Sequence, residues 1–179
     1  MPTILGLSGS LRQASFNAGL LRAAAELAPD GTVIEIGDIR GVPLYDADDE
    51  AAKGLPDAVR MLHAQLDSAD ALLMVTPEYN NSMPGVFKNA IDWMSRGDGL
   101  KLFKGKPVAL MGASPGGFGT VLSQNAWLPV FRTLKLDMWT AGRLMVSKAG
   151  ELFDNEGNLT DGKTRDAVKS FVADFARTL

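Results

Sequence analysis

One stretch near the amino terminus, Gly6-Leu7-Ser8-Gly9-Ser10-Leu11-Arg12-Gln13-Ala14-Ser15-Phe16-Asn17, constrains this chain more than any other. An apolar run from Ile4 to Leu7 leads into it and reads as a short buried strand. Ala18-Gly19-Leu20-Leu21-Arg22-Ala23-Ala24-Ala25 follows and is made largely of strong helix formers. Between strand and helix lies a loop of glycine, hydroxyls, one arginine and one asparagine. Such a junction gathers unpaired backbone N–H groups and the positive end of a helix dipole at one point. Ser10, Ser15 and Asn17 add short donors, and Arg12 adds a planar cationic fork. The loop suits a phosphate or a similar anion. The competing reading is that Ser15 or Asn17 caps the helix and Arg12 is simply solvated.

Composition removes several classes. A length of 179 residues fits one domain, 1–179, with a proper core. Net charge is −3, with Lys and Arg scattered, so neither nucleic acid nor an anionic membrane surface is an expected partner. There is no cysteine, which excludes disulfides, thiol catalysis and thiolate metal sites. A single histidine, His63, excludes a His-rich metal centre, and no metal is expected. No apolar run approaches ~18 residues, so no membrane span is expected. The first residues lack a basic region and apolar signal core, and the expectation is a soluble, cytoplasmic protein.

The chain then alternates between strand-like and helix-like stretches. Thr32-Val33-Ile34-Glu35-Ile36 reads as a second strand after the turn Pro29-Asp30-Gly31. Gly37 to Gly54 is polar, acidic and punctuated by glycine and proline, and is expected to be loop. Pro56 opens a helix through Leu66, with Val59, Leu62, His63 and Leu66 at helical spacing. Ala71 to Val75 is apolar throughout, as in a strand buried on both faces. Pro84 starts a helix through Trp93, and Pro107 to Met111 is a fourth strand. A helix is expected from about Val121 to Leu134, kinked or interrupted at Pro129. A fifth strand falls around Leu136 to Thr140, Asp154 to Asn158 is a turn, and Arg165 to Arg177 is a closing amphipathic helix. Five strands alternating with helices predict an α/β fold, a parallel sheet with helices on both faces. A phosphate loop after the first strand selects the flavodoxin-like order 2-1-3-4-5.

That order puts a ligand crevice outside the carboxyl ends of strands one, three and four, and the loops there carry unusual residues. Thr76-Pro77-Glu78-Tyr79-Asn80-Asn81-Ser82-Met83-Pro84-Gly85 offers an aromatic ring, backbone amides and a side-chain amide between stiffening prolines. Gly112-Ala113-Ser114-Pro115-Gly116-Gly117-Phe118-Gly119 offers glycines that let backbone approach a flat ligand. With the phosphate loop they fit a phosphorylated planar heterocycle. Taken singly, both are ordinary turns.

Together these residues resemble the NADPH-dependent FMN reductases, a group that includes bacterial chromate/quinone reductases and some azoreductases. The resemblance rests on Gly9-Ser10-Leu11-Arg12 with Ser15 and Asn17, on Pro77-Glu78-Tyr79-Asn80, and on Pro84-Gly85 followed by Lys88-Asn89-Ala90-Ile91-Asp92-Trp93. Pro43-Leu44-Tyr45-Asp46 and Lys106-Pro107-Val108 also match. It implies a flavodoxin-like domain binding FMN, with Ser10, Arg12, Ser15 and Asn17 on the phosphate and Phe16 beside them. Pro77, Glu78, Tyr79 and Asn80 would line the isoalloxazine, and the stretch Ser114 to Gly117, with Gly116 inside it, would close its other edge. The resemblance also implies NADPH or NADH as co-substrate and a small-molecule electron acceptor: a quinone, chromate, an azo or nitro compound, or free flavin. A ping-pong cycle would need no catalytic acid or base, with backbone amides near Glu78 and Tyr79 steadying the reduced ring. A homodimer or homotetramer with the flavin near the subunit contact is implied as well. The match weakens after Gly119, where Leu122 and Leu128-Pro129 stand in place of arginines of the chromate-reductase branch. Trp127, Phe131 and Trp139 are open to two readings, subunit contact or acceptor pocket against core packing.

Three other functions compete. Gly6-Leu7-Ser8-Gly9-Ser10 nearly spells a hydrolase nucleophile elbow but ends in serine, and its only base would be His63, inside a helix. Gly99 to Lys106 resembles a phosphate-binding Walker loop with the wrong spacing, with Pro107 in place of the hydroxyl, and before a strand instead of after one. An electron-carrier or interaction module on the same fold would be expected to show a single-sign docking patch, which the modest charge does not suggest.

Overall fold

The computed structural model describes residues 1–179. In chain order it contains β1 (Thr3–Ser8), α1 (Phe16–Glu26), β2 (Val33–Gly37), α2 (Ala47–Lys53), α3 (Asp57–Ser68), β3 (Ala71–Val75), α4 (Gly85–Met94), α5 (Gly99–Phe103) and β4 (Pro107–Ala113). α6 (Val121–Leu134), β5 (Asp137–Met138), β6 (Leu144–Val146), a 3₁₀ turn at Ala149–Glu151 and α7 (Gly162–Ala176) follow. Every strand pairing is parallel, and the order is β2-β1-β3-β4-β5, the flavodoxin-like order.

The central strands are apolar on both faces because helices cover both. α1 and α7 close one side: Leu20, Leu21, Val168, Phe171 and Phe175 pack on Ile4, Leu73, Val75 and Met111. On the other, Leu62, Leu66, Phe87, Ile91, Trp127 and Phe131 pack on Leu5, Leu7, Leu72, Met74 and Leu110. No helix is long and apolar enough to cross a membrane.

The structure corrects two local expectations and refines the pattern at two further places. The fifth strand is not one segment at Leu136–Thr140 but two pieces on the same edge. β5 pairs with Pro107 and Val108, and β6 with Met111 to Ala113. The chain leaves the edge at Trp139, whose indole tucks against Phe171 and Phe175, with ring centroids 5.1 and 5.4 Å away. The stretch Gly37–Gly54 is not all loop: Asp46 caps α2 through Asp48 N at 2.8 Å, and Asp48, Asp49 and Glu50 favour its positive end. α5 is a further short helix that the sequence pattern did not announce. Finally, of the two outcomes expected at Pro129, interruption does not occur: α6 runs on through it. Trp127 and Phe131 on either side are buried, while Pro129 and Asn125, whose carbonyl loses its partner, lie on exposed turns.

Candidate functional site

The carboxyl ends of β1, β3 and β4 meet at one cleft of ≈ 230 Å³. Its walls are Ser10, Arg12, Ser15, Phe16, Asn17, Pro77, Glu78, Tyr79, Ala113, Ser114 and Pro115. Ten residues expected from the sequence are among them. Ala113 was not anticipated, and Pro115 was expected as part of the stretch Ser114 to Gly117. Asn80, Gly116 and Gly117 were expected and lie outside the cleft wall.

The phosphate loop is built by close packing. Gly9 N–H donates to the Val75 carbonyl at 2.9 Å, and a side chain at Gly9 would drive into the Phe87 ring. Ser15 caps α1 with its hydroxyl on Ala18 N–H at 3.3 Å, and no acid sits in the first turn. Arg12 reaches the Ala14 carbonyl with Nη2 at 2.6 Å and lies over the Phe16 ring at 4.7 Å. One bond and one stacking contact fix the guanidinium and leave most of its donors for a ligand. Asn17 is committed elsewhere. Its amide nitrogen donates to the Ala113 carbonyl at 2.8 Å and its oxygen accepts from Ala113 N–H at 2.9 Å, tying α1 to β4.

The loop after β3 turns tightly at Tyr79-Asn80-Asn81-Ser82. Tyr79 and Ser82 exchange both backbone hydrogen bonds at 3.0 Å, and Asn80 and Asn81 take φ of 50° and 61°. Asparagine tolerates that left-handed backbone in a two-residue hairpin turn, which carries Asn80 to the tip. Glu78 turns its carboxylate away, accepting from Leu122 N–H at 2.8 Å and Ser123 N–H at 3.0 Å to cap α6. Beneath the cleft, the buried Thr76 hydroxyl meets the Pro77 carbonyl, Ser123 Oγ and the Trp127 indole N–H within 3.1 Å.

After β4, Ser114 Oγ accepts from Gly116 N–H at 3.2 Å. Gly117 faces open space, and a side chain at Gly116 would meet only Ser114 Oγ at 3.6 Å, so packing does not require glycine at either position. Gly112 is the sterically demanding glycine. An added Cβ would lie 2.1 Å from the Thr76 carbonyl oxygen and 2.6 Å from Thr120 Oγ1.

The three aromatics left open above resolve as packing. Trp127 and Phe131 are buried in the core, and half-buried Trp139 rests on Phe171 and Phe175. The hydrolase reading loses its base, since His63 Nε2 is bound to the Met94 carbonyl at 2.8 Å. The Walker-like stretch leads into the amino end of β4, away from the cleft at the carboxyl ends. There Lys106 Nζ donates to the Leu66 and Ala69 carbonyls at the end of α3, and burial pushes its pKa below the ordinary lysine value.

The model of the NADPH-dependent FMN reductase family matches residues 2–151, a span that contains this whole cleft. The chain belongs to the NADPH-dependent FMN reductase family. Within reach of this family is an NAD(P)H-dependent FMN reductase of Pseudomonas aeruginosa, 45% identical over 166 residues, covering 93% of this chain and 89% of that protein. A 2-hydroxy-1,4-benzoquinone reductase of a Burkholderia species is 39% identical over 168 residues, covering 94% and 91%. The solved structure of FerB from Paracoccus denitrificans, described as a flavoenzyme NAD(P)H:(acceptor) oxidoreductase, superimposes with a TM-score of 0.86. It is 33% identical, covering 99% of this chain and 96% of that one.

The donor set fits the family's flavin. Hydroxyls, a guanidinium and a capped helix N-terminus converge without an unneutralised acid, as a phosphate needs. Pro77 and Tyr79 supply the flat wall that a ring system needs.

Proposed function

We propose that this protein is a cytoplasmic FMN-dependent NAD(P)H oxidoreductase acting as one domain, reducing quinones above other acceptors. The observation that carries the reading is the convergence of Ser10, Arg12 and the α1 N-terminus with Pro77, Tyr79 and Ser114 on one open cleft. When bound, FMN supplies the two-electron relay between a reduced nicotinamide and an acceptor. Arg12, Ser10 and Ser15 would hold its phosphate. Asn17 has one amide N–H left for that phosphate beyond its tie to Ala113. Pro77 and Tyr79 would flank the ring, the backbone of Glu78 and Tyr79 would face its polar edge, and Ser114 would close the far side. The cleft is open to solvent on one side, so dinucleotide and acceptor would use the same face in turn, a ping-pong cycle. No side chain in the cleft need act as acid or base. The quinone reductases among the relatives support a quinone as acceptor.

The test is the visible spectrum of purified protein incubated with excess FMN and desalted. Retained flavin bands that bleach on anaerobic addition of NADPH, and return with a soluble quinone alone, support the enzyme. A colourless protein overturns the cofactor assignment. Bleaching without turnover in the absence of a partner protein would mark an electron carrier instead.

A further inference from the structure

Glu78 is the one acid on the wall of the flavin cleft, and its carboxylate is spent on α6. Oε2 accepts from Leu122 N–H at 2.8 Å and from Ser123 N–H at 3.0 Å, so the charge rests on the positive end of that helix. Ser123 is gripped a second time. Its Oγ lies 2.9 Å from Thr76 Oγ1, which also meets the Trp127 indole N–H at 3.1 Å and the Pro77 carbonyl at 2.9 Å. One arrangement of protons satisfies every contact: Ser123 and Trp127 donate to Thr76, and Thr76 donates to Pro77. Two clamps thus join α6 to the chain leaving β3, one on each side of the Pro77–Glu78 peptide. That peptide is trans, so its carbonyl and its N–H point in opposite directions. The carbonyl points at Thr76, which is fully buried. The N–H therefore points away from the core, and it has no partner within the chain. Pro77 has no N–H, and Tyr79 spends both its N–H and its carbonyl on Ser82. Of these three residues, Glu78 has the main-chain donor left for a ligand.

We propose that Glu78 is a positioning residue for flavin reduction: its carboxylate, tied to α6, holds the Pro77–Glu78 peptide with the N–H aimed at the polar edge of the ring. The inference rests on the flavin reading above. The reduced ring carries more negative charge on that edge than the oxidised ring. A fixed N–H therefore binds the reduced form more tightly and raises the midpoint potential. Released from α6, the carboxylate would bring its own negative charge to the cleft and do the reverse.

The test compares FMN-loaded wild type with Glu78→Ala and Glu78→Gln. Glu78 is half-buried in a loop, and α6 keeps its anchors Trp127 and Phe131 in all three proteins. Glu78→Ala frees the loop and is expected to weaken binding of reduced relative to oxidised FMN about tenfold, the worth of one hydrogen bond to a charged group. For two electrons that is a fall of about 30 mV in midpoint potential. Glu78→Gln keeps an oxygen for the two amides and drops the charge, and is expected to restore the potential. In flavin-free protein, hydrogen exchange at the Leu122 and Ser123 amides is expected to quicken in Glu78→Ala and to stay slow in Glu78→Gln. A potential that rises in both variants marks an effect of charge alone and overturns the proposal. An unchanged potential, or unchanged exchange, in Glu78→Ala overturns it as well. A wild type that retains no FMN overturns the reductase reading and the proposal with it, whereas a flavin-loaded wild type whose potential ignores Glu78→Ala overturns the proposal alone.

Discussion

Arg12 is the residue on which flavin retention should depend most. Its guanidinium is aimed by the Ala14 carbonyl and the Phe16 ring, and it is the only cation lining the cleft. Arg12→Ala is expected to weaken FMN binding by about ten- to a hundredfold, as for loss of a charged hydrogen bond to phosphate. Flavin fluorescence titration measures this, and unchanged affinity would count against the phosphate assignment. Asn17 makes the opposite prediction. Removing its side chain leaves a buried N–H and a buried carbonyl of Ala113 unpaired. Asn17→Ala is therefore expected to cost about 2–6 kcal/mol of stability in urea unfolding, at roughly 1–3 per orphaned group. The sequence put both residues in the same loop, and their division of labour was not legible there. It depends on β4, 96 residues away from Asn17 in the chain, ending beside α1.

At the scale of elements, the loop is supported from behind by the turn Asp154–Asn158. Asp154 shapes that turn by accepting from Glu156 N–H and Asn158 N–H. A Cβ on Gly19 would fall 1.8 Å from the Gly157 carbonyl oxygen, backbone against backbone. Gly19→Ala should force α1 and the turn apart, costing roughly 1–3 kcal/mol by overpacking and loosening flavin through Ala14 and Phe16. Thermal unfolding and flavin titration should move together. A second support is the strap from Pro43 to Lys53, which docks on α4. Asn89 Nδ2 and the Trp93 indole N–H both donate to the Pro43 carbonyl, and Glu50 accepts from the Tyr45 hydroxyl and Arg96 Nε. Desolvation raises the Glu50 carboxyl, but hydrogen bonds from Tyr45 and Arg96 outweigh it and hold the pKa below the ordinary value. The hydrogen bond to Glu50, with desolvation, raises that of Tyr45. A lowered carboxylate stabilises above its unfolded pKa and loses that contribution as pH falls through the folded value. A raised phenol stabilises below about 10 and loses it as pH rises through its folded value. The stability difference between wild type and Glu50→Gln should thus be largest near neutrality and shrink below about pH 4, read from urea midpoints. The strap and α2 were missed in the sequence because their stability comes from caps and docking, not from an apolar period.

For the whole molecule, the sheet order was legible because long apolar strands, a phosphate loop and prolines at helix starts all pointed to one topology. The broken fifth strand was not, since the break is set by Trp139 finding Phe171 and Phe175 across the chain. The cleft could be assembled from sequence because its residues sit at strand ends, which the topology gathers whatever the side chains do. What the topology does not explain is the large apolar side chains left exposed after β3 and between β4 and α6. Phe118 is 85% exposed, Tyr79 49% and Leu122 44%, and Glu78 binds the Leu122 amide, which sets the loop after β3 against the start of α6. Exposed aromatic and leucine side chains on these neighbouring segments suit a contact with a second copy of the chain, in line with the subunit contact near the flavin that the family resemblance implies. Wild-type protein should sediment as a dimer or tetramer at micromolar concentration, and Phe118→Asp combined with Leu122→Asp should sediment as a monomer with an unchanged circular dichroism spectrum. Both positions are solvent-exposed within one chain, so an acid there costs the fold little while burying charge in the contact. A monomeric wild type would remove the interface, and a variant that still assembles would move it to another face.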